Sequence, residues 1–380
     1  MASQEESQSS RRILALIRGY YGYRNMGDES MLHVLTKILN RIGIECIVAS
    51  KNPSYTKKIH KCRAIFSGIN LELIKTLLKS HILIEGPGNK HGFLSIIDYG
   101  LPFIAKILGK KVMYIGVGLN PHKWRDVPTD SMAPVTRYNP IVKSILKLMF
   151  NNIIDMVKVR DELSRKLLIA NGIYLSKESV IKDLAFYLKT LPRSATVRIL
   201  EEVLVPSLTL KHNTIKQIDL IGISVRRFKN SELDKRFKLF LFNSLYKINS
   251  INGKNVHYVF IPFSFGKFDN DVLYSIEIIK FLKQHGLEAH FHIAYTDNPI
   301  YIKSIVKMCR FIIGVRYHSQ IFAESEHIPY IAIMYDPKSL QIVRNSKTCI
   351  FFFKISSLLD DKQFNDILKK VKEVIEEFWK

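Results

Sequence analysis

Two nitrogen-rich side chains follow the end of an apolar stretch of the sequence. The run CRFIIG ends at Gly314, and the next residues, VRYHSQ, include Arg316 and His318. The arginine fork suits a carboxylate or phosphate, and histidine exchanges protons near neutral pH. A later strand-like run, YIAIMY, leads into Lys338. Because parallel strands bring the residues that follow them to one edge of a sheet, we predict a cationic cluster there that binds a small anion.

Further candidates for anion binding follow other predicted strands. Arg160 ends the run MVKVR, and its position at a strand exit favours a carboxylate or phosphate ligand. The alternative for Arg160 is an ordinary salt bridge at the surface. A lone buried histidine is usually structural, but one beside an arginine and a lysine is costly unless an anion lies among them. We expect weaker contributions to anion binding from Arg226, Ser264, Gly314 and Arg316.

The first predicted strand leads into a glycine-rich turn, RGYYGYRNMGDESML, at residues 18–32. The spacing matches neither the dinucleotide motif GxGxxG nor the phosphate loop GxxxxGK[ST]. The start of the following helix directs free N–H groups towards an anion or a sugar oxygen. The alternative is that Asp28 is an ordinary helix cap and the tyrosines only pack. Candidates for binding acceptor hydroxyls are Gly22, Asn25, Asp28 and Glu29.

Apolar strand-like runs alternate with helical segments through both halves of the chain. Runs such as ILALIRG and VMYIGVG occupy the first half, and DLIGISV restarts the pattern at Asp219. This alternation predicts an α/β fold of two Rossmann-like, doubly wound domains that face a cleft. We predict a flexible tail at 1–12, an N-terminal domain at 13–205 and a C-terminal domain at 206–380. The amphipathic last helix, 361–379, is expected to pack on either domain, including back on the N-terminal one.

The composition narrows the classes of partner. Lysine and arginine number 57 against 34 acidic residues, which gives a formal charge of +23. This excess attracts anionic lipid or a phosphorylated substrate, but it is spread along the chain and does not favour dedicated nucleic-acid binding. The four cysteines are scattered, without metal-ligand spacing. We therefore expect a cytoplasmic protein without a metal site, with peripheral contact at the inner membrane surface as a further expectation.

Several segments together resemble one enzyme family. In order they are GYYGYRNMGDESML, GVGLNP, VRDELSRKLL, KDLAFYL, IGISVR and GVRYHSQIFAESEHIPYIAIMYDPKSL. This order is similar to that of the polysaccharide pyruvyl transferases, over roughly Gly19 to Leu340. The resemblance implies a fold of the glycosyltransferase B type. It also implies transfer of pyruvate from phosphoenolpyruvate to a sugar as a ketal, with no other cofactor. One departure is EGPGNKHGF, where the family usually has a Gly-Gly-Gly turn followed by a polar and acidic stretch.

The resemblance also implies roles for individual residues. Arg160, His318 and Lys338 match the arginine, histidine and lysine that the family uses for the donor. His318 is then the general acid, and the two cations balance the donor's carboxylate and phosphate. The resemblance also makes the domain at 13–205 the acceptor side and the domain at 206–380 the donor side. The implied acceptor is a saccharide or a lipid-linked saccharide.

Two other functions fit the same sequence. A nucleotide-sugar glycosyltransferase would share the two-domain scaffold, and it requires a carboxylate that binds the ribose hydroxyls. Glu324 is the candidate for that carboxylate, although a plain position on a helix face is an equal alternative for it. A non-enzymatic basic module would bind nucleic acid or anionic membrane in a salt-dependent manner.

Overall fold

The computed structural model describes residues 13–91, 96–120, 140–206, 219–253, 256–266 and 269–379. The strands of its first sheet lie in the order β3-β2-β1-β4-β6-β5, with β7 also paired to β6, and every one of these pairings is parallel. These strands are β1 (Ile13–Arg18), β2 (Ile44–Ser50), β3 (Arg63–Phe66), β4 (Ile82–Glu85), β5 (Gly88–His91), β6 (Lys111–Asn120) and β7 (Met156–Val159).

The second sheet has the order β14-β13-β12-β9-β10-β11-β8. Its pairings are parallel except that of β8, which runs antiparallel to β11. The predicted α/β class with two parallel-stranded sheets is confirmed. The strands are β8 (Leu204–Val205), β9 (Asp219–Ser224), β10 (Val256–Phe260), β11 (His290–Ala294), β12 (Phe311–Gly314), β13 (Tyr330–Met334) and β14 (Cys349–Lys354).

Helices cover both sheets, and many begin at an asparagine. The side-chain oxygen of Asn25 accepts hydrogen bonds from the backbone N–H groups of Gly27 and Asp28, which satisfies otherwise unpaired donors at the helix start. The helices are α1 (Met26–Arg41), α2 (Pro53–His60), α3 (Leu71–Lys79), α4 (Ile96–Ile107), α5 (Pro140–Leu148), α6 (Glu162–Ala170), α7 (Arg193–Val203), α8 (Ser231–Asn252), α9 (Asp271–Gln284), α10 (Pro299–Met308), α11 (Tyr317–Ser325), α12 (Ser339–Arg344) and α13 (Asp361–Trp379).

The structure shows how two segments pack. The last helix, α13, packs on α8 and places Phe378 against Phe311 of the second sheet, which is one of the two expected alternatives. Just before the expected domain boundary, the helix α7 contacts α10. The domain boundary near Pro206 stays a prediction, and the tail at 1–12 lies outside the described residues. Within the described ranges, no helix has the length and apolar character needed to cross a bilayer.

The two sheets are joined by direct contacts near their carboxyl ends. The N–H of Met26, at the start of α1, donates to the carbonyl of Phe263 at 2.9 Å. Asn25 forms an isolated bridge with Ser264. A single apolar core cluster includes Met31 of α1 and Ile305 of α10. Because these contacts are short and buried, the residues that follow strands of both sheets are held against one another.

A buried lysine reinforces this junction. Lys303 of α10 is 1% exposed, and its Nζ lies 2.7, 3.0 and 3.3 Å from the carbonyl oxygens of Leu188, Phe186 and Ala185. The same Nζ lies 3.4 Å from Oε1 of Glu326. A buried ammonium is stable only when its donors are used, and here they are. Lys303 therefore fixes the segment just before α7 on the second sheet's helices.

Replacing Lys303 should show how much this junction depends on it. We expect Lys303→Met to lower the free energy of unfolding by roughly 2 to 4 kcal/mol, because buried carbonyls and Glu326 lose their partner. Lys307 is the matched control, since its half-exposed Nζ lies 3.1 Å from the same glutamate. Lys307→Met should cost less than about 1 kcal/mol. Urea denaturation measures both values, and equal losses would contradict this role for Lys303.

Candidate active site

Two cationic residues and a histidine surround the ring of Tyr317. The guanidinium carbon of Arg160 lies 5.3 Å from the ring centroid, and Nζ of Lys338 lies 5.0 Å from it. The imidazole of His318 meets the same ring edge-on, at 5.1 Å between centroids. Electron-rich aromatic faces attract cations, and the attraction grows where water is excluded. The structure thus brings together the three residues that the sequence placed at the donor site.

These residues follow the ends of strands in both sheets. Arg160 directly follows β7, and His318 lies in the first turn of α11, after β12. Two glycines permit the close approach. A Cβ on Gly118 would lie 2.4 Å from Nε of Arg160, and one on Gly27 would lie 1.9 Å from Nδ1 of His318. Any side chain at either glycine would displace a residue of the cluster.

Asp183 links the two halves of the cluster, and the sequence reasoning did not identify it. Its Oδ2 lies 3.6 Å from Nη1 of Arg160 and 3.7 Å from Nε2 of His318, which is ion-pair range rather than a hydrogen bond. Its Oδ1 accepts a hydrogen bond from the N–H of Ala185 at 2.9 Å. Burial raises the pKa of Asp183, but His318 and Arg160 outweigh burial and lower the pKa overall. The segment KDLAFYL, part of the family resemblance, was the available signal.

Lys338 has its own carboxylate partner. Its Nζ lies 3.1 Å from Oδ2 of Asp336, and its N–H donates to Oδ1 of the same residue at 3.0 Å. Burial alone would raise the pKa of Asp336, but the contacts with Lys338 lower it overall. Lys338 is thus held near the Tyr317 ring by a charged side chain of the same turn.

His318 lies in an environment that favours its neutral form. Burial lowers the pKa of the imidazole, and the nearby cations Arg160 and Lys338 lower it further. Asp183 opposes them without reversing the direction. An anion placed among these cations would raise the pKa again, because it would cancel their repulsion of the imidazolium.

Asp28 is the acidic group at the start of α1 that faces this cluster. Burial raises the pKa of Asp28 to about 7, with Glu29 and Asp183 adding to the effect and Arg160 and Lys338 opposing it. A carboxylate with that pKa accepts and releases protons near neutral pH. Asn25, by contrast, uses its side-chain oxygen as the cap of α1.

An aromatic pair lies on the loop before α1. The rings of Tyr20 and Tyr23 are stacked, with centroids 3.9 Å apart and an interplanar angle of 2°. Both side chains are exposed. Burial raises the pKa of Tyr20 to about 12, with further contributions from Tyr23, Asp28 and Asp269. Carboxylates on loops of both sheets therefore lie close enough to act on Tyr20 electrostatically.

The structure gives Glu29 and Gly22 structural positions, which corrects their assignment to acceptor binding. Glu29 is fully buried, and its Oε1 accepts a hydrogen bond from the N–H of Gly22 at 2.8 Å. Its Oε2 lies 2.9 Å from Nε2 of His60. Gly22 has a φ of +79°, a conformation that favours glycine. Both residues shape the loop that precedes α1 and Asp28.

Arg316 is fully engaged within the chain, so its assignment to donor binding is also corrected. Its guanidinium donates to Asp269 at 2.6 and 2.8 Å and to Oδ2 of Asp271 at 3.1 Å. The N–H of Ser264 donates to the same oxygen of Asp271 at 3.0 Å. Gly314 ends β12, and its carbonyl accepts from Nε2 of Gln320 at 3.2 Å. These contacts brace the loop between β10 and α9.

Arg226 and Glu324 are the remaining candidates from the sequence. Arg226 is buried and lies over the ring of Tyr335, 4.6 Å from its centroid, at the edge that also carries Lys338. Glu324, the candidate for ribose binding, accepts a hydrogen bond from Oγ1 of Thr348 at 2.7 Å and another from Oγ of Ser346. These intramolecular bonds make Glu324 a structural residue of α11, which disfavours its role in a nucleotide site.

The four cysteines of the chain are free thiols. Cys46 and Cys309 are buried, Cys62 and Cys349 are partly buried, and all are unpaired thiols. In the part of the chain that the structure describes, no group of three or more His, Cys, Asp or Glu is placed to hold a metal ion. The expectation of a reaction without metal or other cofactor stays a prediction.

The fold is that of the glycosyltransferase B class, which also contains sugar-nucleotide epimerases. The UDP-GlcNAc 2-epimerase from Methanocaldococcus jannaschii, solved with UDP-GlcNAc and UDP, is similar over 95% of this chain and 92% of its own, with a TM-score of 0.51 and 12% identity. The E. coli ADP-heptose LPS heptosyltransferase II is similar over 96% and 99%, with a TM-score of 0.51 and 11% identity. At such identities the likeness shows the fold alone.

The family is shown by sequence. The model of the polysaccharide pyruvyl transferase family matches residues 25–337. The chain therefore belongs to the polysaccharide pyruvyl transferases, an enzyme family of polysaccharide biosynthesis. No curated protein matches the chain.

The opposite pKa shifts of two carboxylates predict opposite effects of pH on stability. Asp28 has a raised pKa, so the folded state loses stability as pH rises from about 4 towards 7. Asp28→Asn should therefore be more stable than the parent at pH 8, and the gain should vanish near pH 4. A tenfold change in proton affinity is worth about 1.4 kcal/mol, which is the smallest gain we expect.

Asp183→Asn is the matched variant of opposite sign. The pKa of Asp183 is lowered, so its carboxylate stabilises the fold above the unfolded pKa and stops doing so as pH falls through the folded one. This variant should be less stable than the parent at pH 8, with a deficit that shrinks in acid. Urea denaturation from pH 2 to 8 measures both, because the Asp183 deficit shrinks only below about pH 4, and parallel curves for the two variants would contradict the assignment.

Proposed function

We propose that the enzyme transfers pyruvate from phosphoenolpyruvate to two hydroxyls of a saccharide, which forms a pyruvate ketal and releases inorganic phosphate. The observation that carries the proposal is the convergence of Arg160, Lys338 and His318 on the Tyr317 ring. A small molecule with one carboxylate and one phosphate requires such a cluster of two cations and one proton donor. Membership of the pyruvyl transferase family supports the same reaction.

The cations bind the donor in this proposal. Arg160 offers a planar fork for a carboxylate or phosphate, and Lys338 offers a compact charge for the other group. Arg226 at the same edge adds a third positive charge. When phosphoenolpyruvate binds, the contacts of Asp183 and Asp336 with these cations weaken, since each cation has a limited number of N–H groups.

His318 acts as the general acid. The bound donor cancels the charges of Arg160 and Lys338, which raises the pKa of the imidazole from its lowered value and protonates it. The imidazolium then gives its proton to the methylene carbon of the donor. Asp183 holds the ring through ion-pair contact and stabilises its charged form.

Asp28 acts as the base for the acceptor. Its pKa of about 7 suits removal of a proton from an attacking hydroxyl at neutral pH. The exposed tyrosine pair beside it offers a flat apolar face to a sugar ring, whose C–H face packs well on aromatic rings. The acceptor is thus a saccharide, free or carried on a lipid, that reaches the site along this loop.

The reaction balances with these residues. Protonation of the methylene carbon leaves a positive centre at the adjacent carbon, and the first hydroxyl attacks it while Asp28 takes the hydroxyl's proton. The carbon–oxygen bond to phosphate then breaks, and the phosphate leaves with the proton that Asp28 holds. The second hydroxyl attacks the same carbon and returns its proton to His318. Both residues end in their starting protonation states.

The cell compartment is part of the proposal. We place the reaction in the cytoplasm, where phosphoenolpyruvate is made. The unpaired state of the four thiols, with Cys46 and Cys309 buried, supports a reducing environment.

The test is phosphate release from phosphoenolpyruvate with a panel of aryl and lipid-linked hexosides. His318→Gln should reduce the rate by 10² to 10⁴, the usual contribution of a general acid, while the Kd for the donor changes little. His285→Gln is the matched control, because His285 is an exposed histidine at the end of α9, and this variant should retain the parental rate. A His318→Gln enzyme with near-parental phosphate release would remove His318 from the mechanism.

A further inference from the structure

The helices on one face of the first sheet expose apolar side chains to solvent. Their inner faces form a normal core, in which Leu73 and Leu77 of α3, Ala105 of α4 and Leu146 of α5 pack on the strands. Their outer faces expose large apolar side chains beside polar ones, whereas such helices usually present mainly polar residues to water. Because α3, α4 and α5 share this core, their outer faces point away from the same side of the sheet.

The exposed residues of α5 follow the period of a helix. Ile141 is 73% exposed, Ile145 38% and Leu148 52%, and their spacing places them on one stripe. The neighbouring α4 exposes Ile104 and Ile107, the second of these at 71%. The stretch Met149–Ile153 packs on both helices, so the two stripes are neighbours.

The third helix, α3, continues the pattern with exposed Leu71, Ile74 and Leu78. The last helix of the chain, α13, provides an internal comparison. It is strongly amphipathic, and its large apolar residues are all buried or partly buried. The exposed stripes are therefore not shared by every helix of the chain.

Lysines are exposed on the same helices as the apolar stripes. Lys75 and Lys79 on α3 and Lys147 on α5 are exposed, and Lys143 is partly exposed. The helix α5 has no acidic residue, and α3 has only Glu72. Mixed apolar and cationic residues on one surface match the two layers of an anionic membrane surface, the charged headgroups and the acyl chains below them.

We propose that this face, formed by the outer sides of α3, α4 and α5, binds to the surface of an anionic lipid bilayer. The apolar side chains enter the boundary between headgroups and acyl chains, and the lysines pair with anionic headgroups. A second copy of the chain fits less well, because a symmetric contact would place these lysines against one another. The binding does not depend on the transfer chemistry, so either proposal can fail without the other.

The proposal is tested by flotation of the full chain with lipid vesicles. Vesicles of equal parts phosphatidylglycerol and phosphatidylcholine should carry the protein, and vesicles of phosphatidylcholine alone should carry much less. The double variant Ile107→Gln, Ile141→Gln should bind the anionic vesicles roughly tenfold more weakly, because two large apolar side chains no longer enter the lipid. The double variant Lys75→Gln, Lys143→Gln should lose affinity and salt dependence together.

The matched control lies in the other domain. Leu273 and Ile276 of α9 are also exposed apolar residues one turn apart, and Leu273→Gln with Ile276→Gln should leave vesicle binding unchanged. The proposal is overturned if the parental protein fails to float with anionic vesicles, or if both isoleucine and control variants float equally. It is also overturned if sedimentation shows that the face joins two copies and that the Ile107 and Ile141 changes separate them. Melting temperatures establish that each variant is folded.

Discussion

The carboxylate of Asp183 lies between Arg160 and His318, which follow strands of different sheets. One of its oxygens is 3.6 Å from Arg160, which follows β7, and 3.7 Å from His318, which follows β12. Without this negative charge, the arginine and a protonated histidine would repel each other in a buried place. Asp183 is itself fixed because Lys303 binds the carbonyls just after it. The packing of the two sheets and the charge balance of the site therefore depend on the same short segment.

The carboxylates around the cluster differ in their roles because their surroundings differ. Asp183 and Asp336 contact cations directly, which lowers their pKa values despite burial. Asp28 has weaker help from the cations, so burial raises its pKa to about 7. Opposite shifts of this kind separate permanent counter-charges from groups that exchange protons. Asp269 belongs to the first kind, because its contact with Arg316 lowers its pKa despite burial.

The sequence predicted the parts of the molecule that depend on local patterns. Apolar runs located most strands, and residues just after them, such as Arg160 and His318, do converge. The errors arose where a residue's partner is distant in sequence. Nothing near Arg316 indicates that Asp269 and Asp271 bind it, and nothing near Glu29 indicates its pairing with His60. Asp183 was missed because its neighbours in the site lie in other segments.

The proposed function requires that this site bind a small anion with a carboxylate and a phosphate rather than a sugar nucleotide, although solved structures with UDP-GlcNAc share the fold. Isothermal titration of the full chain with phosphoenolpyruvate and with UDP-GlcNAc distinguishes the two ligands. We expect saturable binding of phosphoenolpyruvate that Arg160→Gln abolishes, and no heat from UDP-GlcNAc. Saturable binding of UDP-GlcNAc with none of phosphoenolpyruvate would rule out the proposed function.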